Sequence, residues 1–97
     1  MAKKRDESID RMLEGILTLS TVDECYDFFK DLCTNNELRS MAQRFTVAKL
    51  LTEGKVYNDI VEQTGASTAT ISRVNRSLSD GNDGYALVFS RMKDKDK

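Results

Sequence analysis

Apolar residues recur along this chain at helical spacing almost from end to end, and polar punctuation divides them into six segments. Ile9, Met12, Leu13, Ile16 and Leu17 share one wide stripe, which predicts a helix over residues 6–19. Thr21 followed by Glu24 has capping-box spacing. A second helix is therefore expected to start at Val22 and to carry Cys25, Tyr26, Phe29 and Leu32 inward. Thr34 and Glu37 repeat that signal ahead of a long third helix bearing Leu38, Met41, Ala42, Phe45, Ala48 and Leu51. Gly54 is placed to end it. Near the other end, Gly81 and Gly84 break the chain, and Tyr85, Val88, Phe89 and Met92 predict a short last helix. The alternating charges of residues 93–97 read as a fraying tail.

Residues 57–79 carry the pattern with the most chemical content. Ile60 and Val61 supply the apolar positions of a short helix, and Gly65 falls where a sharp turn requires a positive φ. Ser67 then stands where a hydroxyl caps the free N–H groups of a new helix. Ile71, Val74 and Leu78 form that helix's buried stripe, which leaves Ala69, Ser72, Arg73 and Arg76 on the opposite side. Two helices joined in this way are a helix-turn-helix, whose second helix enters the DNA major groove. Amphipathic helices after glycine turns are common in all-α proteins, and arginine often only solvates a surface, so the outer face has to decide. An ordinary solvated helix is rich in Glu, Lys and Gln. This one carries Ser67, Thr68, Thr70, Ser72, Asn75 and Ser77, with no acid between Gln63 and Asp80. Short polar side chains permit close approach to phosphates and base edges, and the lack of carboxylates avoids repulsion from phosphate.

Composition narrows the picture further. Ninety-seven residues, read as one domain over 1–97, bury only about 60–65% of the surface exposed on unfolding. The absence of Pro and the scarcity of Gly favour long helices over turn-rich β structure. No apolar run is long enough to span a membrane, and the lysine-rich start lacks the apolar segment of a signal peptide. Cys25 and Cys33 have no His or further Cys nearby, which argues against a metal site and for reduced thiols in the cytoplasm. No cofactor is expected.

Net charge is near neutral, but its distribution is not. From Asp6 to Glu37 the only bases among many acids are Arg11 and Lys30. From Leu38 to Ser79 the cations Arg39, Arg44, Lys49, Lys55, Arg73 and Arg76 outnumber Glu53, Asp59 and Glu62. The half with the motif is the cationic half. About three or four phosphate contacts per chain give weak monomeric binding. A symmetric dimer doubles them and sets two motif helices about 34 Å apart, one turn of DNA. The apolar first and last helices are the natural elements to pack across its two-fold axis.

Residues 38–78 resemble the Trp repressor superfamily, and within it the Trp-repressor-like YerC/YecD branch. The run TGASTATISR, the pair Ser77 and Leu78, Arg44 on the long helix, Gly54, and the pair Gly84 and Tyr85 carry the likeness. The resemblance implies an intertwined all-helical homodimer that binds operator DNA and represses transcription. It also implies that Thr68, Ala69 and Ser72 meet bases and that Thr70 faces phosphate. In the Trp repressor, tryptophan is held by two arginines and a threonine, and a glycine admits the indole. Thr34, Arg44 and Arg73 fall at or near the polar positions, but Val74 replaces the glycine. Filling a slot made for a ring with a β-branched side chain argues against tryptophan as corepressor. Arg44 and Arg73 are then free for phosphate, for an ion pair, or for the carboxylate of a different small effector. A second departure is Val61, where the helix-turn-helix prefers a small residue.

Two other functional classes fit fewer of these residues. A small helical enzyme of the chorismate mutase kind needs several cations in one pocket. Here no second basic helix faces Arg39, Arg44 and Lys49, and no His or Gly-rich phosphate loop is present. A protein-interaction module on the same fold, without DNA binding, would draw on the acidic N-terminal half. The reading that accounts for most residues is a cytoplasmic, all-α, homodimeric regulator of transcription, not an enzyme, with double-stranded DNA as its partner. Ser67, Thr68, Ala69, Thr70, Ser72, Arg73 and Arg76 form its DNA face, Arg73, Arg76 and Thr70 as phosphate anchors. Thr34, Arg44, Arg73 and Val74 surround any effector pocket.

Overall fold

Six helices, with no strand, account for the regular structure of residues 5–95, the part of the chain that the computed structural model describes, with side chains through Lys93. The polypeptide divides within α3 (Asn35–Thr52) into two units, Met1–Leu38 and Arg39–Lys97.

The first unit contains α1 (Glu7–Ile16), α2 (Val22–Leu32) and the first turn of α3. Each helix opens on a side-chain cap. The Asp6 carboxylate accepts from the Ser8 N–H at 2.8 Å, and the Thr21 hydroxyl accepts from the Glu24 N–H at 3.1 Å. The α1 helix is shorter than its apolar stripe. Beyond Ile16 the chain turns on the Gly15 carbonyl, which accepts from both the N–H and the hydroxyl of Thr18. No residue of α1 or α2 is buried. Cys25 and Phe29 are half-buried, but Tyr26 and Leu32, expected inward, are exposed. Two helices of ten and eleven residues do not supply enough surface to cover two wide apolar stripes.

At the start of α3 the predicted capping box is reciprocal. Thr34 Oγ1 accepts from the Glu37 N–H at 3.1 Å, and the Glu37 carboxylate accepts from the Thr34 N–H at 2.8 Å. The bond from the Thr34 N–H, followed by the contribution of the Thr34 side chain, holds the Glu37 carboxyl below its ordinary value of 4.5. A depressed folded value means that the cap's contribution is complete above the unfolded value and is lost as pH falls through the folded one. In an NMR titration Glu37 is expected to show a midpoint below 4.5, and Thr34→Ala is expected to move it upward.

The second unit has a true core. Val47 and Ala48 of α3, Ile60 of α4 (Tyr57–Thr64), Ala66 of the following turn, Ile71 and Val74 of α5 (Thr68–Asp80), and Phe89 of α6 (Gly84–Lys95) form one buried cluster. Leu50, Leu51, Tyr57, Val61, Leu78 and Tyr85 pack around it. Phe89 fixes α6 by contacts with Phe45 and Tyr85, at centroid separations of 5.1 and 5.9 Å. The Lys49 ammonium lies 5.2 Å from its ring centroid, a cation–π contact. Gly54, with φ of 82°, ends α3 as expected. The last helix runs through Lys95, so residues 93–95 of the expected tail are helical, while 96–97 lie outside the described residues. Met1 to Lys4, which carried the reading of the chain's start, lie outside them too. Leu87, Val88 and Met92 remain exposed on α6. Among the described residues no helix is long and apolar enough to cross a membrane.

Candidate nucleic-acid interface

The turn between α4 and α5 is fixed from several directions. Gly65 adopts φ of 72°, and its N–H donates to the Val61 carbonyl at 2.8 Å. An added Cβ at Gly65 would meet nothing within 4 Å, so the left-handed backbone alone demands glycine there. The Thr64 hydroxyl donates to the Ile60 carbonyl at 2.7 Å and accepts from the Ala66 N–H at 3.1 Å. The Gln43 side-chain amide donates to the Thr64 carbonyl at 3.1 Å, which ties the turn to α3. Val61, large where a small residue is usual, is half-buried against the core.

Ser67 caps α5, its hydroxyl accepting from the Thr70 N–H at 3.1 Å and donating to Thr70 Oγ1 at 3.1 Å. Ile71 and Val74 are buried and seat the helix on the core. On the other side Thr68, Ala69, Ser72, Arg73, Asn75 and Arg76 are all exposed. Ser67 is exposed as well but is committed to the cap, and Thr70 is half-buried with its hydroxyl engaged by Ser67.

The charge on this face differs from that of the four helices before it, although α6 also lacks an acid in its first turn. Each of α1 to α4 carries an acid in its first turn, where the helix dipole favours one; α5 carries none. The ion pairs among the described residues, Arg5–Asp10 and Arg11–Glu14, both belong to the first unit. Arg44, Arg73 and Arg76 are exposed and form no ion pair among the described residues, with Asp80 the acid nearest in sequence to Arg76 on α5.

Arg73, Arg76, Ser77, Asp80 and Gly81 frame an open hollow of about 300 Å³ along the C-terminal half of α5. Ser77, Asp80 and Gly81 are not among the binding residues expected from the sequence, although positions 73, 76, 77 and 80 are spaced as one helical ridge. Of the proposed effector residues only Arg73 borders this hollow. Val74 is 2% exposed inside the core, and the Thr34 hydroxyl and N–H are both committed to Glu37.

The family model described as Trp repressor protein matches residues 7–93. The chain belongs to the Trp repressor family. Within that family it is 51% identical over 92 residues to the uncharacterized protein YerC of Bacillus subtilis, covering 95% of this chain and 88% of that one. The crystal structure of a TrpR-like protein from Eubacterium eligens superposes with a TM-score of 0.89 at 56% identity, covering 92% of each chain. A second solved structure, from Staphylococcus aureus, gives 0.88 at 50% identity, over 92% of this chain and 89% of that one. The family match spans residues of both units and includes all of α5.

Proposed function

We propose that this member of the Trp repressor family is a sequence-specific regulator that binds double-stranded DNA as a homodimer, represses transcription in the cytoplasm, and does so without tryptophan. The observation that carries the reading is the outer face of α5. It is exposed, acid-free from its cap through Ser79, supplied with arginines that form no ion pair among the described residues, and held on a core through Ile71 and Val74. Family membership makes the same assignment the natural one. Thr68, Ala69 and Ser72 read bases in this scheme, and Arg73 and Arg76 neutralise phosphates, with Thr70 close to the backbone.

Dimerisation is supported by the apolar surface a single chain leaves uncovered. Ile9, Met12, Leu13 and Leu17 are exposed on and just beyond α1, as are Leu87, Val88 and Met92 on α6. Residues of this kind rarely cluster on a monomer's surface without a partner. The exposed guanidiniums of Arg44 and Arg73 leave room for regulation by a small anionic effector other than tryptophan.

Electrophoretic mobility shift on genomic fragments, repeated across a salt series, tests the assignment. Binding is expected to weaken steeply with salt, and Arg76→Ala should reduce the slope of log K against log salt by about one per neutralised phosphate, uniformly across sequences. Binding that is absent, or indifferent to salt, removes the assignment.

A further inference from the structure

Resting on that reading, we infer that α5 selects duplexes by the 5-methyl groups of thymine, met by Ala69 and by the methyl group of Thr68. The hydroxyls of Thr68 and Ser72 each add a single hydrogen bond.

The structure sorts the hydroxyls of this helix into two groups. Ser67 and Thr70 are bound to each other in the cap. Ser77 donates to the Arg73 carbonyl and Ser79 to the Asn75 carbonyl, both at 3.3 Å, so these turn back onto their own helix. Thr68 and Ser72 are exposed and have no hydrogen-bond partner among the described residues. They are the hydroxyls available to an outside acceptor or donor.

The second helix of the motif meets base edges with its N-terminal residues. Bidentate recognition of guanine needs Arg or Lys, and of adenine Asn or Gln. From Ala66 to Ser72 none of these residues occurs, and the first cation is Arg73. Paired hydrogen-bond readout is therefore unavailable over the first turn of α5. What this turn offers instead is two exposed residues that carry methyl groups, Thr68 and Ala69. The one apolar feature on a major-groove edge is the thymine 5-methyl. Short side chains let the helix backbone come close enough for that contact, which longer ones would prevent. A 5-methylcytosine presents the same group and would be accepted in the same place.

The experiment starts from a duplex selected by the full-length protein from a random pool, with uracil then substituted for each thymine in turn. This removes one methyl and leaves every hydrogen-bonding group intact. At one position in each half-site, uracil is expected to weaken binding about fourfold, the factor for one buried methyl. Ala69→Ser should weaken the thymine duplex and erase its advantage over uracil, with the helical circular dichroism unchanged. Restoring the methyl as 5-methylcytosine at that position should recover part of the loss. Salt-sensitive binding with thymine and uracil equivalent at every position overturns the inference and leaves DNA binding standing. Failure to bind any duplex overturns both.

Discussion

Replacing Ala69 with glutamate is expected to weaken duplex binding at least about a hundredfold while leaving the fold intact or slightly more stable. The two effects separate because they have different causes. Ala69 is exposed on the first turn of α5, two residues after the Ser67 cap, and no part of the core touches it. A carboxylate there sits at the positive end of the helix dipole, worth about 0.3–1 kcal/mol in favour of folding. The first turns of α1 to α4 use that interaction, and α5 forgoes it. In a groove the same carboxylate would face phosphates, and like charges brought together across an interface cost several kilocalories per mole. A hundredfold loss is about 2.7 kcal/mol, within that range. Fluorescence anisotropy with the selected duplex gives the affinity, and a thermal melt gives the stability. An interaction module docking on a basic partner would behave oppositely, since an added acid would hold or improve its binding. If Ala69→Glu keeps wild-type affinity for DNA within threefold, α5 does not enter the groove.

What could be read from the residues follows the range of the interactions involved. The Thr34–Glu37 capping box, the positive φ of Gly65 and Gly54, and the burial of Ile71 and Val74 depend on neighbours a few positions apart, and these are present where expected. At Thr21 only the cap itself forms, since the Glu24 carboxylate accepts from the Ser20 N–H. The face of α5 opposite Ile71 and Val74 was legible for the same reason, since helical geometry alone sets it. Burial on α2 was not. The stripe through Cys25, Tyr26, Phe29 and Leu32 has the right spacing, yet spacing does not say whether anything covers it, and Tyr26 stays 60% exposed. The length of α1 was overestimated because its apolar stripe continues past the point where Thr18 closes a turn on Gly15. The half-burial of Thr70 depends on which partner its hydroxyl takes, and two neighbouring hydroxyls, Ser67 and Thr70, satisfy one another. The hollow between Arg73 and Gly81 was hidden for a different reason, in that Asp80 lies beyond the acid-free stretch that drew attention to the helix.

Val74→Gly is expected to cost about 3 kcal/mol of stability and to lower the thermal midpoint by about 12–24 °C. The side chain is 2% exposed in a cluster with Val47, Ala48, Ile60, Ala66, Ile71 and Phe89, so its removal forfeits a buried isopropyl group. Glycine inside a helix adds roughly 1 kcal/mol through backbone entropy. A loss under 1 kcal/mol would mean that the surrounding side chains collapse into the space, and that Val74 is not what sets the spacing between α5 and the core. The same packing bears on tryptophan. The resemblance puts the indole-admitting glycine of the Trp repressor at this position, where this chain has the buried Val74. Calorimetric titration of the wild-type chain with L-tryptophan is expected to show no micromolar binding. A measured micromolar affinity would require the ring to find another seat, and the ligand-independent scheme would fail with it. Ile71 and Val74, both buried, hold α5 against the core. On the proposed reading, these two side chains set the position of the exposed face of α5 with or without tryptophan.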